Sequence, residues 1–83
     1  MSEILSSETI EKMRKFNNNS KWLSAHYDDI KSRYTNKIIA IDNDTVIDYD
    51  EDINSLLKRL RERYTDIHHI VIQYVNDKQY PIT

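Results

Sequence analysis

Glycine is absent from all 83 residues of this chain, and its absence restricts how the backbone can turn. Tight turns that require a positive φ angle usually contain glycine, and asparagine and aspartate are the next most tolerant residues. Sharp reversals are therefore expected at pairs of Asn or Asp. One such pair, Asn43-Asp44, lies between two runs of strand-forming residues.

These two runs predict a β-hairpin. Residues 37–42 and 45–49 are rich in β-branched and aromatic side chains, which favour strands. Asn43-Asp44 suits the two-residue type I′ turn that joins antiparallel strands. A third strand of similar composition is predicted over residues 69–75.

Two later segments show the spacing of apolar residues that is typical of helices. One should begin at a cap formed by Asp50 or Asp52 and run to about Tyr64. Its apolar positions are Ile53, Leu56, Leu57, Leu60 and Tyr64. The other should begin at Ser20, and its apolar positions are Leu23, Tyr27, Ile30 and Tyr34.

The N-terminal segment predicts a separate amphipathic helix. Ser7 can cap it, and Ile10, Met13 and Phe16 recur on one side. The polar run of residues 17–20 after it predicts a linker, because Asn and Ser side chains compete with helical backbone bonds. We therefore expect residues 1–18 to form an N-terminal helix and residues 19–83 to form one α+β domain with a short C-terminal tail.

The order helix, helix, strand, strand, helix, strand limits the topology. A right-handed crossover through the last helix can place the third strand beside the first. The sequence therefore predicts an α+β fold of topology (α)αββαβ, with a three-stranded antiparallel sheet in order 2-1-3 and helices packed on one face. A chain of 83 residues is long enough for a single core only.

Composition and charge exclude several classes of protein. No cysteine is present, which excludes disulfides and thiolate metal sites, and the longest apolar run, Ile38 to Ile41, is far shorter than the ~20 residues of a membrane span. The net charge of −2 creates no global field that would attract nucleic acid or a membrane surface. Residues 1–7 lack the basic and apolar regions of a signal peptide, so we expect a cytoplasmic protein.

Residues 38–46 resemble the first motif of haloacid-dehalogenase-type phosphatases, an apolar run followed by two spaced aspartates. In such an enzyme Asp42 would be the nucleophile and Asp44 the general acid. The resemblance implies a longer chain with a doubly wound sheet, a downstream lysine and a further acidic pair, none of which fits this sequence. We therefore interpret the motif as a hairpin turn.

The acidic run of residues 48–52 matches the start of a calcium-binding loop. It carries Ile53 where that loop needs glycine and Arg59 where it needs a bidentate glutamate, so helix capping is the preferred interpretation. His68 and His69 are adjacent, and in an extended strand their side chains would face opposite sides and could not easily share one metal ion. The sequence thus predicts no catalytic residue, no metal ligand, no cofactor and no small-molecule substrate.

The stretch from Trp22 to Val75 resembles a small, mainly archaeal domain family of unknown function. The resemblance is carried by residues 34–43 and by Leu56, Leu57, Leu60 and Tyr64. Similar chains usually have Pro-Gly at Thr35-Asn36 and a glycine in the turn at Asn43-Asp44. The resemblance implies a helix, hairpin, helix, strand core, and it implies no activity.

The predicted strands are apolar on both sides, although a sheet with helices on one face should be polar on the other. With Ile39, Ile41, Ile47 and Tyr49 toward the helices, the opposite face still carries Ile38, Ala40, Val46, Val71 and Val75. Exposed apolar patches usually mark interfaces. Two covers are available: the N-terminal helix with Ile10, Met13 and Phe16, or a second copy across a two-fold axis.

These residues predict a non-enzymatic interaction or regulatory domain that forms a homodimer or binds an unidentified protein partner. A nucleic-acid-binding module is the alternative. It would use the basic residues of the last helix, which are Lys58, Arg59, Arg61 and Arg63. Glu62 dilutes this charge, and the stems of Arg61 and Arg63 flank the apolar arc, where long side chains cover core edges.

Overall fold

The structure is a computed structural model that describes residues 7–76. Its elements follow the predicted order, and they are α1 (Ser7–Ala25), α2 (Tyr27–Tyr34), β1 (Ile38–Asp42), β2 (Thr45–Asp50), α3 (Ile53–Arg63) and β3 (Val71–Tyr74). The predicted C-terminal tail lies outside the described residues. Within them, no helix has the length and apolar character needed to cross a membrane.

The central strand β1 pairs antiparallel with both β2 and β3, which confirms the predicted α+β class and sheet order. The hairpin turn has positive φ angles at Asn43 (52°) and Asp44 (58°), as a type I′ turn requires. Asn36, just before β1, also has a positive φ of 64°. In the described part of this glycine-free chain, Asn and Asp therefore occupy the left-handed positions, as expected.

A β-bulge interrupts the hairpin. Asp48 lies opposite Ala40, but the next residue of β1, Ile41, lies opposite Val46, so Ile47 is the extra residue. The bulge reverses which positions of β2 face each side of the sheet. Val46 consequently packs with the cluster around Ile41, and Ile47 packs with the cluster around Ala40.

Helices cover both faces of the sheet, which differs from the expectation of helices on one face. Ile39, Ile41, Val71 and Val75 form one core cluster with Ile30 of α2, and Trp22 and Leu23 of α1 pack against it. On the other face, Ala40 and Ile70 cluster with Leu56 and Leu60 of α3. Because β1 is apolar on both sides, each side needs its own cover.

The predicted linker at residues 17–20 was wrong, because α1 runs through it without a break. The Asn19 side chain is 3% exposed, and its amide donates to distant groups instead of competing with the helix backbone. The helix is interrupted at His26. The His26 imidazole stacks on Trp22 with ring centroids 4.5 Å apart, and its Nδ1 lies 2.9 Å from the Trp22 carbonyl oxygen. α2 begins at the next residue.

The acidic run before α3 caps the helix, as expected. Asp52 accepts hydrogen bonds from the backbone N–H of Ser55 (3.2 Å) and from its hydroxyl (2.8 Å). Asp50 accepts from the backbone N–H of Asp52 at 2.9 Å. β3 is shorter than predicted and begins at Val71, because His69 belongs to the turn before the strand.

Candidate interaction surfaces

A buried polar cluster joins α1, β1 and the turn before β3. The Asn19 amide donates to Asp42 Oδ1 (3.0 Å) and to the backbone carbonyl of His69 (2.9 Å). His69 Nε2 lies 3.2 Å from Asp42 Oδ2. Asp42 is therefore 6% exposed and has both carboxylate oxygens engaged, an arrangement that fixes α1 on the sheet.

The basic residues of α3 are not all free to contact phosphate. The Arg59 guanidinium donates hydrogen bonds to two carboxylates, those of Asp48 (Nε to Oδ2, 3.0 Å) and Asp50 (Nη1 to Oδ2, 2.8 Å). It also donates to the Tyr49 carbonyl. Arg63 reaches the same oxygen of Asp48 at 3.4 Å. Lys58 and Arg61 remain exposed and form no ion pair within residues 7–76. Half of the predicted nucleic-acid contacts are thus neutralised inside the chain.

The pKa shifts follow from the same contacts. The hydrogen bonds from Arg59 hold the pKa of Asp48 below its usual range. The backbone N–H of Asp52, followed by Arg59, lowers the pKa of Asp50. In return, hydrogen bonding to Asp48 and then to Asp50 raises the pKa of Arg59. The charged forms of these groups are therefore favoured, and their ion pairs hold α3 against β2.

The predicted apolar interface on the sheet is not one exposed surface, because the chain's own helices cover it. Ala40 and Val75 are 0% exposed and Val71 is 6% exposed. Ile38 and Val46 are half-buried, and they pack in different clusters on opposite faces. The prediction that these five residues share one face was wrong. Ile38 and Ala40 lie on the α3 side of the sheet, and Val46, Val71 and Val75 lie on the other side.

The other three predicted interface residues do lie together on the surface. Ile10, Met13 and Phe16 are 44%, 52% and 42% exposed on α1. They recur every three residues along the helix, so they form a continuous strip that we call the α1 ridge. Among the residues of α1, only Asn19 is buried. The N-terminal half of the helix thus presents large apolar side chains to solvent.

A groove of about 450 Å³ runs beside the ridge, and it is lined by Thr9, Lys12, Met13, Phe16, Asn17 and His68. An ion pair between Lys12 and Asp66 lies where the N-terminal half of α1 meets the segment before β3. The hydrogen bond from Lys12 lowers the pKa of Asp66 to about 2, and the same hydrogen bond raises the pKa of Lys12. This ion pair holds the N-terminal half of α1 against the segment before β3, while the ridge stays exposed.

Sequence reasoning found the ridge residues but missed the polar cluster. The sequence predicts a linker at Asn19 and a strand at His69, and neither prediction brings these residues to Asp42. The only sequence signal was an aspartate at the end of an apolar strand, beside a turn. Its two partners lie 23 and 27 residues away along the chain.

Comparison with known proteins places this architecture in a family. No curated protein and no solved structure matches the chain. Residues 29–78, more than half of the chain, match a family of unknown function, DUF5678. This range begins in α2 and includes the sheet and α3, and the whole of α1 lies before it. The chain is thus a member of the DUF5678 family.

Proposed function

We propose that this protein is a non-enzymatic interaction domain that self-associates through the α1 ridge. The observation that carries the proposal is the exposure of Ile10, Met13 and Phe16 in one strip, while the rest of the large apolar side chains mostly serve the two cores. Contiguous exposed apolar side chains usually mark an interaction site. The buried and fully engaged Asp42 supports a structural rather than a catalytic role for the aspartate motif.

The ridge is complementary to itself, which favours a second copy as the partner. If two α1 helices meet antiparallel on a two-fold axis at Met13, Ile10 of each copy lies opposite Phe16 of the other. Residues of a closed two-fold dimer must pair reciprocally in this way. The antiparallel arrangement also makes the two helix dipoles point in opposite directions, which is electrostatically favourable.

The charged residues that flank the ridge are Lys12 and Arg14, whereas Glu11 and Lys15 lie on the opposite side of the helix from Met13. Lys12 would lie near Arg14 of the second copy, but Lys12 is already paired with Asp66 and Glu8, and Arg14 with Glu11. These ion pairs within each chain reduce the repulsion between Lys12 and Arg14, and the apolar centre of the contact supplies the affinity.

Sedimentation of Met13→Lys beside the matched control Asn18→Lys tests the proposal. Both changes add one positive charge to an exposed position of α1, but only Met13 lies on the ridge. We expect concentration-dependent self-association of the native chain and of Asn18→Lys. In Met13→Lys the dissociation constant of the α1 contact should rise at least about tenfold, since a central anchor is worth about 2 kcal/mol or more.

Two results would reject self-association through α1. One is a native chain that stays monomeric up to about 1 mM, the weak limit of specific association. The other is an equal effect of the two substitutions. Thermal unfolding of dilute Met13→Lys should match that of the native chain, because Met13 is half exposed in the single chain.

Nucleic-acid binding through α3 is a weaker candidate, because two of its four basic residues, Arg59 and Arg63, form ion pairs within the chain, which leaves Lys58 and Arg61. Binding to a duplex that weakens steeply with salt, and that is lost in Arg61→Gln, would favour it.

A further inference from the structure

The outer edge of β3 is a second candidate for association. β3 pairs with β1 on one side and with no other strand of residues 7–76 on its other side. The N–H of Val75 donates to the Lys37 carbonyl (2.8 Å), and the Val75 carbonyl accepts from the N–H of Asn36 (2.7 Å). Backbone groups of an antiparallel strand point alternately to its two sides. Gln73 therefore faces β1, like Val75, and the N–H and C=O groups of Ile72 and Tyr74 face outward.

The outward groups of β3 lack the protection that edge strands usually have. The opposite edge, β2, carries a bulge and two aspartates, which hinder pairing with another strand. β3 contains no charge and no proline, and its register with β1 is regular. The outward Tyr74 carbonyl accepts a hydrogen bond from the neighbouring Gln73 side chain at 2.9 Å, in place of a strand donor.

We propose that β3 of a second copy adds to this edge in antiparallel orientation and joins two sheets into one six-stranded sheet. With the two-fold axis at Gln73, Ile72 of each copy lies opposite Tyr74 of the other. Both residues turn their backbone groups outward, so each such pair exchanges two main-chain hydrogen bonds. The partner is a second copy because its β3 has the same length and presents its outward N–H and C=O groups at the matching residues.

Side chains support the same register. Ile72 packs at the rim of the α3 cluster, and Tyr74 is 49% exposed. Tyr74 and Ile72 lie on the same face of β3, so each Tyr74 ring would cover Ile72 of the other copy. On the opposite face, the Gln73 amides of the two copies would meet and could bond to each other.

This site is independent of the α1 ridge. A chain that uses both sites has two different two-fold interfaces and forms assemblies larger than a dimer. Association at β3 alone gives a dimer that Met13→Lys leaves intact. The two proposals can therefore fail separately.

Amide hydrogen exchange at single residues, measured over a range of protein concentration, tests the β3 proposal. The N–H of Gln73 is the internal control, since it faces β1 in every state. We expect exchange at Ile72 and Tyr74 to slow with rising concentration, by about tenfold when nine chains in ten are paired. The same slowing should appear in Met13→Lys, which lacks the α1 contact.

Substitutions at Tyr74 provide the second arm of the test. Tyr74→Pro removes the outward N–H without removing a bond to β1, and Tyr74→Lys places a charge on the edge. Tyr49→Lys is the matched control, because Tyr49 is equally exposed on β2. We expect concentration-dependent protection of Ile72 to disappear in Tyr74→Lys and to persist in Tyr49→Lys. Exchange at Ile72 and Tyr74 that is independent of concentration in the native chain would overturn the proposal, as would protection that survives Tyr74→Lys.

Discussion

Replacing Asn19 with Ala tests whether the buried polar cluster fixes α1 on the sheet. The Asn19 amide donates one hydrogen bond to a carboxylate oxygen and one to a backbone carbonyl, at a site that is 3% exposed. The bond to the carboxylate should contribute about 1.5–3 kcal/mol and the bond to the carbonyl about 0.5–1.5 kcal/mol. Alanine has the higher helix propensity, which should stabilise the variant by roughly 0.5 kcal/mol and offset part of this loss. We therefore expect a net loss of about 1.5–4 kcal/mol in the free energy of unfolding.

Asn18→Ala is the matched control, because Asn18 is the preceding residue of the same helix and is exposed. It should be neutral or slightly stabilising. Urea unfolding followed by the fluorescence of Trp22, which packs against the core, gives both values. The loss in Asn19→Ala should lower the melting temperature by at least about 6 °C in a domain of this size. If the two variants unfold within about 0.5 kcal/mol of each other, Asn19 does not fix the helix.

Two further predictions concern the turn and the pH dependence. Asn43 has a φ of 52°, so Asn43→Gly should be close to neutral, whereas Asn43→Val should cost about 1 kcal/mol or more; equal thermal midpoints would contradict the left-handed turn. Asp66 has its pKa lowered to about 2 by Lys12, so its charge stabilises the fold above its unfolded pKa of about 3.9, and this contribution is lost as the pH falls toward 2. Thermal midpoints between these pH values should consequently fall less in Asp66→Asn than in the native chain, and parallel curves would show that the ion pair is unimportant.

Local patterns in the sequence predicted most of the elements. The hairpin followed from two strand-forming runs around Asn43-Asp44, and α3 followed from apolar residues at helical spacing after an acidic cap. In both cases the interactions that determine the structure join residues close in the chain. The sheet order followed from the handedness of the crossover, which depends little on side chains.

The errors arose where distant residues decide the conformation. An Asn-rich run favours a linker by its local chemistry, but the partners of Asn19 lie 23 and 50 residues away, and they stabilise a continuous helix. The faces of β2 could not be assigned from alternation, because the extra residue at Ile47 is visible only in the pairing with β1. The exposure of the α1 ridge also depends on where the helix is anchored, and this anchor was not visible in the sequence.

The anchor at Asn19 makes α1 a spacer of fixed length. Helical residues rise 1.5 Å each, so Ile10 lies about 14 Å along the axis from the point where the helix is fastened to the sheet. Each residue also turns the helix by about 100°, so the direction of the ridge depends on how many residues separate it from Asn19. Inserting seven residues after Phe16 would extend the arm by two turns and keep the ridge on nearly the same side. Inserting five would turn it by about 140° and point it toward a different part of the domain.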